Sequence, residues 1–109
     1  MSPLTITGRD TTTGPVVEVV GDLDYAHATT LRQQVERLTL RPGQHLVVDL
    51  TSLKFCDSTG ITALLAARQH AQAAGADIVL SGVPTNTLRI LTIVGLDRVF
   101  TIRPDTTPA

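Results

Sequence analysis

The chain reads as an α/β protein, one domain built on a mostly parallel mixed sheet of four to five strands with helices packed against it. Three observations predict this. Short aliphatic, β-branched runs alternate with stretches of helical period. Glycine or proline punctuates nearly every junction between them. The core must be Val, Leu, Ile and Ala, because hydrophobic residues make up 42% of the chain and aromatic ones only 3%. At 109 residues the chain suits a single domain, and one of that size buries roughly two-thirds of the surface its unfolded chain exposes. The domain is expected to span 1–109, with 103–109 (Arg103-Pro104-Asp105-Thr106-Thr107-Pro108-Ala109) as a frayed tail.

Leu4 to Thr7 can form a short edge strand, and Gly8 to Pro15 is a polar turn region. Val16-Val17-Glu18-Val19-Val20 is β-branched and stops at Gly21, so it should pair with the first strand as an antiparallel hairpin. Asp22-Leu23-Asp24 follows as a loop. From Ala26 the period changes: Ala28, Leu31, Val35 and Leu38 recur at helical spacing, and Arg41-Pro42-Gly43 stops the helix. Leu46-Val47-Val48-Asp49-Leu50 has the pattern of a strand covered on both faces. Asp49 inside it should be tied to backbone or to a cation, since an unpaired buried charge is expensive. Residues 51–60 read as a loop. Ile61, Leu64, Leu65, Ala67, Ala71 and Ala74 then line a second helix that ends at Gly75. Ile78-Val79-Leu80 is a third buried strand. Beyond Gly82-Val83-Pro84 a third helix carries Leu88, Leu91 and Val94 on one face with Ile90 beside them, and Gly95 ends it. Val99 to Ile102 is the last short strand.

Alternating strands and helices place the loops that follow successive parallel strands on one rim of the sheet. Asp22-Leu23-Asp24, Cys56-Asp57-Ser58-Thr59-Gly60 and Ser81-Gly82-Val83-Pro84 are therefore expected to be neighbours, where open α/β sheets hold their binding sites.

Charge and composition narrow the function. A net charge of -1, scattered basic residues and almost no aromatics give no footprint for nucleic acid. One cysteine makes no internal disulfide, and no Cys or His spacing fits a metal. The start lacks signal-peptide regions and no apolar run reaches spanning length, which makes a cytoplasmic protein without a membrane segment the expectation. No glycine-rich loop ends in Gly-Lys-Ser/Thr, so no nucleotide cofactor is expected.

Ser58 carries the interest. At the start of the second helix it can act as an N-cap for free N–H groups, worth about 1 kcal/mol. Capping is the first reading from local sequence, and the hydroxyl can also accept phosphate, because a helix N-terminus offers donors and the positive end of a dipole. The two readings are compatible. An enzyme reading is weaker: the segment resembles a nucleophile elbow but lacks the glycine two residues before the serine. His45 belongs to the opposite rim, His70 to the surface of the second helix, and only His27 to the same rim. Asp22 and Asp24 on one loop and Asp57 on another read as caps or a solvated edge sooner than as metal ligands. Cys56 reads as a small packing residue.

Three segments together resemble one family. Gly21-Asp22-Leu23-Asp24 with Ala28 and Thr30-Leu31-Arg32 is similar to the first strand–helix junction of the STAS domain family. Leu46 to Leu53 followed by Phe55-Cys56-Asp57-Ser58-Thr59-Gly60-Ile61 resembles its phosphorylation segment, and Leu88 to Phe100 its third helix and closing turn. The order matches along nearly the whole chain. A domain of this size with an intact Asp-Ser-Thr-Gly loop looks most like an anti-sigma factor antagonist. The resemblance implies a non-enzymatic partner-switching cycle. The unphosphorylated protein binds an anti-sigma factor that is also a serine kinase, freeing a sigma factor; phosphorylation on Ser58 ends binding, and a PP2C-type phosphatase resets it. Ser58 stands at the phosphoacceptor position with Thr59 as the lesser candidate, and Asp22, Asp24, Asp57, Ser58, Thr59 and Gly60 form the implied partner-binding set. The alternative is a scaffold or transport-accessory STAS protein that forms a stable complex without a phospho-switch. Family members commonly continue with a helix after the last strand, where this chain has a Pro- and Thr-containing coil.

Overall fold

The structure, a computed structural model, describes residues 3–103, and its elements follow the expected order with one addition. β1 (Thr5–Thr11) and β2 (Gly14–Leu23) form the antiparallel hairpin, in register from Thr5 opposite Val20 to Thr11 opposite Gly14. Both strands are longer than their apolar runs. Once β2 supplies a ladder, the polar segment from Gly8 to Thr11 satisfies its backbone across it and keeps its side chains in water, as befits an edge.

Parallel pairing then builds outward, from β2 to β3 (His45–Asp49), to β5 (Asp77–Ser81) and to β6 (Thr101–Arg103). The addition is β4 (Leu53–Cys56), inside the stretch expected to be loop, which brings the sheet to six strands instead of four or five. β2 makes room for it. Ten residues at about 3.3 Å each is long enough for two partners in succession. Val16 to Glu18 pair with β3; the chain turns through Leu50-Thr51-Ser52 and returns to β2, pairing Gly21 with Leu53, Asp22 with Phe55 and Leu23 with Cys56. Asp22 and Leu23 thus belong to a strand and not to the expected loop. Asp49 is tied down as anticipated: its Oδ1 accepts the Thr51 N–H at 3.0 Å and the Thr51 hydroxyl at 2.6 Å.

Helices α1 (Ala28–Glu36) and α2 (Ser58–Ala73) pack on each other and contribute Leu31, Val35, Leu64, Ala67 and Ala71 to one continuous core. The sheet contributes alternate residues: Val17, Val19 and Leu23, then Leu46, Val48 and Leu50, then Ile78 and Leu80. β3 is therefore fully covered on one face only, with His45 and Val47 half-buried on the other. α3 (Thr85–Ile93) departs most from its sequence pattern. Of the expected inward face only Leu91 is buried, whereas Leu88, Ile90 and Val94 are exposed. A short 3-10 turn (Leu96–Arg98) leads into β6, which takes in Arg103, one residue beyond the expected strand end. The rest of the expected tail, 104–109, lies outside the described residues.

Candidate functional site

The three rim loops do meet. The Asp57 N–H points to the Leu23 carbonyl at 3.4 Å, and the Tyr25 N–H donates to Asp57 Oδ2 at 3.2 Å, which joins the β2–α1 loop to the start of α2. The β5–α3 loop reaches β4 through Pro84, which shares a groove with Leu53 to Cys56 and with Asn86 and Thr87 of α3.

Asp57, not Ser58, caps α2. Its backbone is extended (φ -99°, ψ -174°), and its Oδ1 accepts the Gly60 N–H at 3.0 Å. One carboxylate therefore serves two backbone donors, the helix terminus and the neighbouring loop. Ser58 is released from that duty. It is the first residue of a 16-residue helix, exposed, and among the described residues its hydroxyl makes no hydrogen bond. Its carbonyl accepts the Thr62 hydroxyl at 3.0 Å inside the helix. Thr59 is half-buried next to it.

Gly60 shapes the loop. It is buried against β2, where a Cβ would run into the Leu23 carbonyl oxygen and come within 2.8 Å of Cys56 Sγ. Only glycine lets the first turn of α2 lie this close to the end of β2. The other acids divide. Asp24 is on the rim, its Oδ1 2.7 Å from His27 Nδ1, and its carbonyl accepts the N–H groups of His27 and Ala28 as the chain enters α1. Asp22 sits in β2, 9% exposed, so its side chain has little surface to offer. Cys56 is buried, and desolvation, with Asp57 beside it, pushes its thiol up to about 12. An ionised thiolate nucleophile is excluded at neutral pH.

The remaining histidines lie as expected or are otherwise engaged. His45 opens β3 at the opposite rim. His70 is half-buried on α2, with Nε2 3.2 Å from the Leu38 carbonyl, rather than free on the surface. Among the described residues no group of three His, Cys, Asp or Glu side chains is placed to hold a metal, and no helix is long and apolar enough to cross a membrane.

Sequence reasoning missed two side chains. Tyr25 is 80% exposed beside Asp57, and Phe55 on β4 is 52% exposed. The available signal was scarcity: the chain holds one Tyr, two Phe and no Trp.

Comparison with known proteins decides the family. A family model described as "Mlab, STAS domain" matches residues 6–104. The chain belongs to the STAS domain family. This STAS domain is similar to the anti-sigma-B factor antagonist of Listeria monocytogenes, 27% identical over 85 residues that cover 78% of this chain and 75% of that protein. It also resembles the crystal structure of an anti-sigma factor antagonist from Mycobacterium paratuberculosis, with a TM-score of 0.74 and 25% identity over 95% of this chain and 88% of that one. A sulfate transporter family protein from Wolinella succinogenes shares the fold, with a TM-score of 0.72 and 17% identity over 84% of this chain and 76% of that chain. The STAS assignment accounts for the mixed, mostly parallel sheet with three helices that the residue patterns predicted.

Proposed function

We propose that this STAS domain is an anti-sigma factor antagonist switched by phosphorylation of Ser58. The observation that carries the reading is the division of labour at the start of α2. Asp57 does the capping, which leaves the neighbouring Ser58 hydroxyl exposed and without a structural task. Similarity to proteins named anti-sigma factor antagonists supports the choice of partner.

The unphosphorylated chain binds an anti-sigma factor that is also a serine kinase, and a sigma factor is released. Ser58 Oγ attacks the γ-phosphorus of ATP held by the kinase; ADP leaves and the hydroxyl proton passes to the kinase's base. The product carries about -1.5 to -2 charges at pH 7. In the free chain that charge faces the N-terminus of α2, which stabilises it by about 0.3–1 kcal/mol, offset in part by Asp57 beside it. In the complex the same dianion is stripped of water next to Asp57 and Asp24. A loss of ~2.8 kcal/mol there weakens binding about a hundredfold. The fold survives and the interface does not. Thr59, half-buried, is the lesser acceptor. A PP2C-type phosphatase removes the phosphate and resets the cycle. The chain has no turnover of its own in this scheme and works in the cytoplasm, where sigma factors act.

The test is incubation with the cognate anti-sigma kinase and ATP. One phosphate should appear, mapped to Ser58 by mass spectrometry and absent from Ser58→Ala. Ser58→Asp should lose the kinase while keeping its circular dichroism and melting temperature. Phosphate that persists on Ser58→Ala would remove the assignment. A stable complex indifferent to phosphorylation would point to a scaffold instead.

A further inference from the structure

The chain has three aromatic side chains, and two of them are exposed on segments that adjoin the start of α2. Phe100 is buried in the core, while Tyr25 is 80% and Phe55 52% exposed. A fully buried aromatic side chain takes about 150–250 Å² out of water, and most of that for Tyr25 and about half for Phe55 is still exposed. A fold whose core is otherwise aliphatic had uses for them inside.

Their attachment is specific. The Tyr25 N–H is bonded to the same carboxylate that caps the helix of Ser58. Phe55 lies two residues before Asp57 on β4, opposite Asp22. Phe55 also lines a groove of about 210 Å³ between β4 and the start of α3, whose walls mix Leu53, Pro84 and Ile90 with Lys54 and Asn86. One exposed aromatic residue is thus tied by its backbone to the Asp57 carboxylate and the other leads into the same loop, and a groove of mixed polarity adjoins the second.

We infer that Tyr25 and Phe55 are the apolar anchors by which the serine kinase holds this chain; the inference rests on the function proposed above. The occupant follows from geometry. A protein that takes the Ser58 hydroxyl into a phosphoryl-transfer site must cover the start of α2. A standard interface covers about 800 Å² on each partner, a disc of roughly 16 Å radius. Tyr25 is hydrogen-bonded to the residue before Ser58, and Phe55 is three residues away along the chain, at most about 11 Å. Both positions fall inside the footprint, and aromatic anchors supply much of the binding energy of such interfaces. The rings supply affinity whatever the state of Ser58, and the phosphate decides whether that affinity survives. The kinase accordingly presents apolar sockets around its catalytic cleft for Tyr25 and Phe55.

The experiment uses the purified kinase with unphosphorylated wild type, Tyr25→Ala, Phe55→Ala and, as an exposed apolar control on α3, Ile93→Ala. Affinity is measured by surface plasmon resonance, and Ser58 phosphorylation by steady-state kinetics. Each ring variant should bind at least tenfold more weakly through faster dissociation. Each should raise KM for phosphorylation with kcat unchanged, because the anchors lie away from the transferred phosphoryl group. Ile93→Ala should match wild type, and all melting temperatures should agree. Phe55→Leu, which keeps an apolar body, should recover part of the loss. Ring variants that bind within threefold of wild type at unchanged KM would overturn the inference. Failure of the wild-type chain itself to bind the kinase or to take phosphate would overturn the proposed function, and the inference with it.

Discussion

Gly60→Ala sets two magnitudes against each other. Gly60 is the third residue of α2 and does not have a positive φ, so intrinsic helix propensity favours alanine there by about 1 kcal/mol. Sterics oppose it. A Cβ would meet the Leu23 carbonyl oxygen inside contact distance, Cys56 Sγ at 2.8 Å and Leu23 Cγ at 2.9 Å. Neither side chain has room to retreat, since Leu23 is 0% and Cys56 6% exposed. Overpacking of a closed site costs about 1–3 kcal/mol, and a clash with backbone belongs at the upper end. Relief would have to come from moving the first turn of α2 off β2, which breaks the 3.4 Å bond from the Asp57 N–H to the Leu23 carbonyl at a further cost of about 1 kcal/mol. Against the propensity gain, the net loss is about 2–3 kcal/mol. In a domain of this size that lowers Tm by roughly 10–20 °C. Thermal unfolding followed by far-UV circular dichroism measures it directly. Hydrogen exchange should show faster exchange at Gly60 and Ile61. Gly8→Ala is the control, because its Cβ would meet only the Val16 carbonyl at 3.8 Å. A Gly60→Ala chain that melts at or above wild type would refute the argument that this glycine exists to let α2 approach β2.

Other expectations follow from the same contacts. Asp57→Ala removes the acceptor for both Gly60 and Tyr25 N–H groups and should cost about 1–2 kcal/mol, while Asp57→Asn, which keeps an acceptor oxygen, should lose less; chemical denaturation of the three chains decides. The Cys56 thiol, raised from 9.0 to about 12, should resist a disulfide reagent such as DTNB at pH 8 in the folded chain and react once denaturant is added. Its linkage has a definite sign: the stabilisation is complete below pH 9 and is lost as pH rises toward 12, because the unfolded thiol ionises first, and Cys56→Ala should remove that part of the alkaline slope. Leu91→Ala should destabilise by about 2–5 kcal/mol, whereas Ile93→Ala on the same helix should stay within about 0.5 kcal/mol, as an exposure of 0% against 76% requires; equal effects in urea titrations would mean that α3 packs on a different face.

Local sequence determined the order of elements, the parallel sheet and the convergence of three loops on one rim. Those follow from periodicity and from glycine and proline punctuation, which act between near neighbours. Asp49 was legible for the same reason, since its partner, Thr51, is two residues away. Tertiary structure decided the rest. Leu53-Lys54-Phe55-Cys56 is too short and too irregular in polarity to declare itself a strand, and it becomes one because β2, thirty residues earlier, extends far enough to pair with it. The same pairing turns Asp22 and Leu23 from loop into strand and takes Asp22 out of solvent. Which residue caps α2 was equally invisible. Asp57 and Ser58 are both good caps by type, and a backbone N–H from Tyr25, 32 residues away, helps to orient the carboxylate of Asp57. With Asp57 in the capping role, Ser58 stays exposed with its hydroxyl uncommitted. Composition had shown that aromatics are scarce in this chain, but only the packed structure shows that two of the three are exposed and not in the core.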